Sequence, residues 1–185
     1  QKIARTTLNK STTAILGFID SLPATGNRSG KIEVFNALAW IEKGKVRTVY
    51  HKQLLPTYDV FLEEIFFRPG IETKVVPWKG HKIGLTICED IWDARYSVKP
   101  LAMLAKKKAD FVVNISASPF YKNVLEVRTS LLKKHVQRHG FPMLYVNQVG
   151  GQDDLVFDGR SMLVDAKGHV LFRAPAFEEG LHFVT

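Results

Sequence analysis

Two apolar runs in the middle of the chain, Ala109–Ser116 and Pro142–Asn147, constrain its fold more than any other feature. Each is nearly unbroken in apolar residues, the pattern of a strand covered on both faces. Between them Val124–His139 is amphipathic, carries Lys and Arg in its later turns, and meets Gly140 as a C-terminal stop. Strands covered on both faces need helices packed on the sheet, so the chain is expected to be mixed α/β.

The remaining elements fit around this centre. Residues 1–22 read as a helix, with Ile3, Leu8, Ile15, Phe18, Ile19 and Leu22 near helical spacing before Pro23 and Gly26. After an Asn27–Gly30 turn, Glu33–Glu42 and Val46–His51 flank Gly44 as a hairpin. Gln53–Gly70 reads as irregular, with Pro56, Pro69 and the aromatics Tyr58, Phe61, Phe66 and Phe67. Strands are expected at Thr73–Trp78 and His81–Cys88 around Gly80, and a helix at Val98–Lys108. The tail predicts strands at Ser161–Asp165, His169–Arg173 and Leu181–Val184, with a Lys167-Gly168 turn. That makes three helices and one domain over residues 1–185, with no repeat or internal linker.

Composition narrows the function. At 45% hydrophobic and 24% charged residues, with 13 Gly and 8 Pro, the chain is neither disordered nor collagen-like. One Cys excludes a disulfide framework and a cysteine-built zinc site, and fits a reducing, cytoplasmic setting. No apolar run approaches the ~18 residues a bilayer crossing needs, so no membrane partner is expected. The 26 basic residues exceed the 18 acidic ones, for a net charge of +8. They are spread out, and the bunches at Lys106–Lys108 and Lys133-Lys134 fall on expected helices, as solvated faces do. No nucleic-acid module or aromatic–basic interleaving accompanies them.

Two residues have the setting for chemistry. Cys88 ends an apolar strand and is followed at once by Glu89, Asp90, Trp92 and Asp93. A thiol on such a turn can point into a pocket with the next N–H beside it to hold an oxyanion. On composition alone a lone Cys is more often a small buried hydrophobe. Lys52 closes a strand that Pro56 keeps from continuing; it could lower a thiol pKa or steady negative charge. A single Lys is more often a snorkelling surface side chain. Of the six His, His135 and His139 stand at i, i+4 but in a basic helix end without a carboxylate partner, so no metal site is expected. Gly150-Gly151 lacks the Lys-Ser/Thr of a phosphate loop.

Four ordered blocks carry a resemblance: His51–Phe61, Ile87–Trp92, Asn114–Phe120 and Asn147–Gly159. Together they resemble the nitrilase (carbon–nitrogen hydrolase) superfamily, and more narrowly the glutamine amidotransferase domain of glutamine-dependent NAD⁺ synthetases. The resemblance covers about residues 33–185. It implies an α-β-β-α sandwich of the nitrilase type, here without its N-terminal strand and helix, and a Glu–Lys–Cys triad. Lys52 and Cys88 match two triad positions. Tyr58, Glu89 and Ser116 match pocket-lining, substrate-binding positions, and Glu63 matches a supporting acid near the site. The catalytic Glu is expected upstream of Gln1; Glu33 and Glu42 do not match it. Leu62 and Ile65 stand where this branch is usually polar or charged.

The implied reaction is hydrolysis of the glutamine amide through a Cys thioester, supplying ammonia for ATP-dependent amidation of deamido-NAD⁺. The glutaminase step needs no cofactor or metal; ATP and Mg²⁺ belong to a synthetase domain that is not among these residues. Glutamine, that synthetase domain and further copies of the chain in a homo-oligomer are the expected partners. A stand-alone amidase acting on another small amide, or a catalytically incomplete fragment, are the alternatives.

Overall fold

An antiparallel register running from Thr13 opposite Glu42 to Pro23 opposite Ile32 joins Thr13–Pro23 (β1) to Ile32–Glu42 (β2). The computed structural model describes residues 2–23 and 32–184, and the turn expected at Asn27–Gly30 lies outside them. The chain divides into two compact units, residues 1–72 and 73–185.

In the first unit β2 is the central strand of three, with β1 on one side and Lys45–His51 (β3) on the other. The helix expected over residues 1–22 is not there. Only Lys2–Arg5 (α1) is helical, and the rest of the apolar stripe lies in β1. Non-local pairing overrides the local pattern, because β1 satisfies the backbone of β2 along its whole length. The stripe also has no single core to face: Ile19 and Leu22 are 70% and 43% exposed. The Gly44 hairpin is as expected. Lys43 and Gly44 both have positive φ, +49° and +78°, the two-residue turn that matches strand twist. Residues 53–70 are largely irregular, with one helical turn at Glu63–Phe66 (α2).

The second unit holds a six-stranded sheet. Its strands are Val75–Trp78 (β4), His81–Ile87 (β5), Phe111–Ser116 (β6), Met143–Asn147 (β7), Met162–Val164 (β10) and Val170–Arg173 (β11). A separate hairpin is formed by Val149–Gln152 (β8) and Leu155–Asp158 (β9). The sheet order is β11-β10-β7-β6-β5-β4, with β5, β6 and β7 parallel and the outer strands antiparallel. Parallel neighbours need crossovers, and Pro100–Lys106 (α3) and Val124–His139 (α4) supply them.

Leu101 and Leu104 of α3, Leu132 and Val136 of α4, and Val112, Met143, Tyr145 and Met162 of the sheet form one buried cluster. Gly84 lets α3 approach β5, since a Cβ there would lie 2.9 Å from Leu104 Cδ1. Gly140, at φ +77°, closes α4 by donating its N–H to Val136 O at 2.8 Å.

Two further differences from the sequence reading have simple causes. Leu181–Val184 forms no strand: Leu181 and Phe183 are 81% and 85% exposed, and no strand among the described residues pairs with them. The β8–β9 hairpin is invisible to strand propensity because Gly150 and Gly151 sit inside it.

The core of this unit contains histidine. Burial holds His135 below its ordinary value of 6.5, against a bond to Ile91 O and the Asp93 charge. Burial likewise lowers His139, helped by the charges of His135 and Arg138. Between the lowered values and 6.5 the unfolded chain binds more protons than the folded one, so stability rises with pH there. Thermal melts should therefore show stability that is full above about pH 7 and falls as pH drops through 6.5 toward the lowered values. A melting temperature flat from pH 7.5 to 5 would contradict this.

Candidate active site

β3 delivers Lys52 in the first unit. The Lys52 N–H donates to Asn36 O at 2.9 Å, and Lys52 O accepts the Gly70 N–H at 2.8 Å, so the backbone is held from both sides. The side chain is 1% exposed and its Nζ donates to Glu63 Oε1 at 2.6 Å. Glu63 begins α2, and its other oxygen accepts from Asn36 Nδ2 at 3.3 Å. A buried ammonium needs such a partner, because an unpaired charge is costly to desolvate. Lys52 is therefore not a snorkelling surface lysine.

His51 beside it bonds to Asp20 Oδ2 through Nε2 at 2.8 Å and stacks on Phe35, with ring centroids 4.2 Å apart. Tyr58 is 42% exposed and meets Phe61 edge to face.

In the second unit the parallel strands β5, β6 and β7 end side by side, the edge where open α/β sheets place ligands. The register sets Thr86 beside Asn114 and Asn114 beside Tyr145, then Ser116 beside Asn147. Cys88 follows the last residue of β5, opens a 3₁₀ turn over Cys88–Ile91, and has φ +40°. That is left-handed backbone for a non-glycine residue, a strain seen where a side chain must be aimed. The thiol is half-buried rather than sealed in the core.

Several groups fix the turn. Asp90 Oδ2 accepts the Ile87 N–H at 2.8 Å, and Trp92 N–H donates to Glu89 O at 2.7 Å. Asn114, fully buried, donates from Nδ2 to Thr86 Oγ1 at 3.1 Å and to Cys88 O at 3.5 Å, and its Oδ1 accepts from Ser116 Oγ at 2.7 Å. Glu89 is buried and accepts from the Tyr96 hydroxyl at 3.0 Å.

The loop after β6 is held from beneath. Asn147 Oδ1 accepts the Ser118 N–H at 2.9 Å, and its Nδ2 donates to Gly159 O at 3.0 Å. Arg128 of α4, 1% exposed, pairs with Asp158 Oδ1 at 2.7 Å and donates to Ser118 O at 2.7 Å and Pro119 O at 2.8 Å. The second Asp158 oxygen has only the Arg160 guanidinium, at 3.6 Å. Burial pushes the Tyr145 phenol far above its ordinary range, with Arg128 pulling it down and Cys88 adding to the rise. Among the described residues no three His, Cys, Asp or Glu side chains gather as a metal site.

Of the expected residues, then, Lys52 and Glu63 meet directly in the first unit. Cys88, Glu89 and Ser116 share one strand edge in the second, with Cys88 and Ser116 linked through Asn114. Asn114, Asp90, Arg128 and Asp158 were not singled out as site residues. Asn114 had a signal, a lone amide inside an apolar run. Arg128 had one too: Val124, Leu132 and Val136 lie at i±4 multiples from it, on one helical face.

Cys88 thus sits on a strained turn at the end of a strand, at the edge of a parallel sheet within a mixed α/β fold. The chain belongs to the carbon–nitrogen hydrolase family, whose model matches residues 1–185. It is 41% identical over 165 residues to the glutamine-dependent NAD⁺ synthetase of Synechocystis sp., an alignment covering 85% of this chain and 30% of that protein. It superposes on the solved glutamine-dependent NAD⁺ synthetase of Acinetobacter baumannii with TM-score 0.82 and 34% identity, covering 92% of this chain and 30% of that one. It also superposes on an amidase from Nesterenkonia sp. AN1, solved with acrylamide added at its active-site cysteine, at TM-score 0.68 and 25% identity. That match covers 94% of this chain and 62% of the amidase. The nitrilase-type mixed α/β fold is thereby established. The chain spans about a third of the length of the curated synthetases it matches.

Two substitutions test the supports. Arg128→Met leaves the buried Asp158 with only the longer Arg160 contact, so the urea midpoint should fall by the equivalent of about 3–5 kcal/mol. A change under about 1 kcal/mol, as for surface pairs, would contradict the supporting role. A Cβ on Gly70 would lie 2.2 Å from His51 O. Gly70→Ala must move backbone next to Lys52 and should cost about 1–3 kcal/mol in the same measurement; wild-type stability would mean the contact yields freely.

Proposed function

We propose that this chain is part of one glutamine amidotransferase domain of the carbon–nitrogen hydrolase family, and that Cys88 is its nucleophile. The observation that carries the reading is Cys88 itself, aimed by left-handed backbone at the parallel edge of the sheet. The likeness to the synthetases supports glutamine as the substrate.

In this reading the Cys88 thiolate attacks the side-chain amide carbon of glutamine. The carbonyl π pair moves to oxygen, where the N–H following Cys88 holds it; a lysine shares that role in the family's mechanism, and Lys52 matches it by resemblance. Collapse breaks the C–N bond, and a carboxylic acid gives its proton to departing ammonia. Water, deprotonated by the same carboxylate, then hydrolyses the thioester to glutamate and restores the thiol. That carboxylate is the Glu that the family resemblance puts ahead of residue 1. Glu63 is the supporting acid that fixes Lys52, and by the family resemblance Tyr58, Glu89 and Ser116 match substrate-binding positions.

Ammonia then passes to a synthetase domain that amidates deamido-NAD⁺ with ATP and Mg²⁺ in the cytoplasm, within a homo-oligomer. The Nesterenkonia amidase, with its active-site cysteine, favours a second reading, hydrolysis of a simple amide.

Intact-mass analysis after incubation with a chloroketone analogue of glutamine tests both. One adduct is expected, absent in Cys88→Ala and suppressed by glutamine far better than by asparagine or propionamide. Equal protection by propionamide favours the amidase reading. No adduct overturns glutamine recognition by this chain.

A further inference from the structure

The 3₁₀ turn that carries Cys88 ends at Ile91, and its last carbonyl is gripped from the helical layer. His135 of α4 is 4% exposed, and its Nε2 lies 2.6 Å from Ile91 O. A carbonyl only accepts, so Nε2 is the protonated nitrogen and Nδ1 the bare one. Nδ1 is buried and has no hydrogen-bond partner among the described residues. The ring ends a stack, with the His139 centroid 5.9 Å away and Phe141 next, 5.6 Å beyond it. A buried nitrogen with nothing to bond is an expense that packing alone would not select, since an apolar side chain of the same shape avoids it.

What this bond does is set by what it grips. Cys88 holds φ +40°, a strained conformation for a non-glycine residue that persists only where its surroundings fix it. On the sheet side the turn is tied at its start, by Asp90 on the Ile87 N–H and by Asn114 on Cys88 O. At its far end the Ile91 carbonyl is tied to α4 by His135. The Trp92 N–H bond to Glu89 O and the buried Ile91 side chain also hold that end, and His135 adds the side-chain hydrogen bond to its last carbonyl.

We propose that His135 is a positioning residue for Cys88, acting through the Nε2–H to Ile91 O bond to keep the thiol aimed. The inference rests on the reading of Cys88 as the nucleophile, and it requires no particular substrate.

Cys88 is the chain's only cysteine, so alkylation by iodoacetamide, followed by intact mass, reads its thiol alone. The reagent needs no glutamine pocket, so failure of the glutamine analogue to react leaves this test intact. His135→Leu removes the donor, His135→Asn shortens it out of reach, and His135→Gln carries an amide N–H at the position of Nε2. Leu and Asn should alkylate on the order of ten- to a hundredfold more slowly than the native chain, and Gln should recover most of the rate. Equal rates in all folded variants overturn the proposal, as does slowing that Gln does not relieve, which would mark a purely structural role. Should Leu and Asn fail to fold, the native imidazole decides through its ¹⁵N shifts. A protonated Nε2 with bare Nδ1, together with native-like alkylation in Gln, supports it; the opposite tautomer overturns it.

Discussion

Left-handed backbone at Cys88 is the constraint around which the second unit is organised. A single strained residue relaxes unless both ends of its turn are held, and the two ends lie on different layers. The strand ladder stops at Ile87 and Ile115, before the turn. The far end gains a hydrogen bond from a helix, through His135 on Ile91 O. A strand–helix–strand crossover supplies this: α4, in returning the chain from β6 to β7, brings His135 to Ile91 O and Arg128 to the loop after β6. The fold thus does more than bring strands together. It places a helix where the strained turn needs a partner.

The same geometry explains why so many polar groups are buried at one edge. Parallel strands that end together leave unpaired backbone groups, which must be satisfied by side chains or water. Asn114, Asn147 and Arg128 do this for Cys88 O, the Ser118 amide and the Ser118 and Pro119 carbonyls. Such a network is costly when incomplete and rigid when complete. The incomplete places, Asp158 Oδ2, His135 Nδ1 and the Tyr145 hydroxyl, lie in or just beneath that network.

Much of this was legible in the sequence. The two buried strands, α4 from Val124 to His139 and the hairpin at Gly44 follow from periodicity and stop signals, because in those segments local pattern and tertiary contact agree. The first strand was not legible. Ile15, Phe18, Ile19 and Leu22 have helical spacing by coincidence, and what makes the segment a strand is β2, whose sequence lies beyond the local window. Cys88, Lys52 and Glu63 were found through ordered motifs rather than through composition, which by itself favoured an inert thiol and a surface lysine. Arg128 and His135 were hidden because charged and polar residues on an amphipathic helix ordinarily mark its wet face. Only the i, i+4 row through Val124, Leu132 and Val136 betrays Arg128.

Leu62 and Ile65, which stand where the resembled branch is usually polar or charged, flank Glu63. Their side chains are 54% and 69% exposed, and Phe66 next to them is 68% exposed. Glu63 turns the other way, its carboxylate set between Lys52 Nζ and Asn36 Nδ2. A one-turn helix separates successive side chains by about 100°, so a residue can face the interior while its neighbours face water. Apolar residues at 62 and 65 therefore alter the surface around the ion pair and leave the pair intact. The position of Glu63 is fixed instead by its N–H, which donates to Pro56 O at 3.0 Å, and by Lys52, whose backbone Asn36 and Gly70 pin. What the family pattern conserves in polarity at those two neighbours is not needed to hold the lysine.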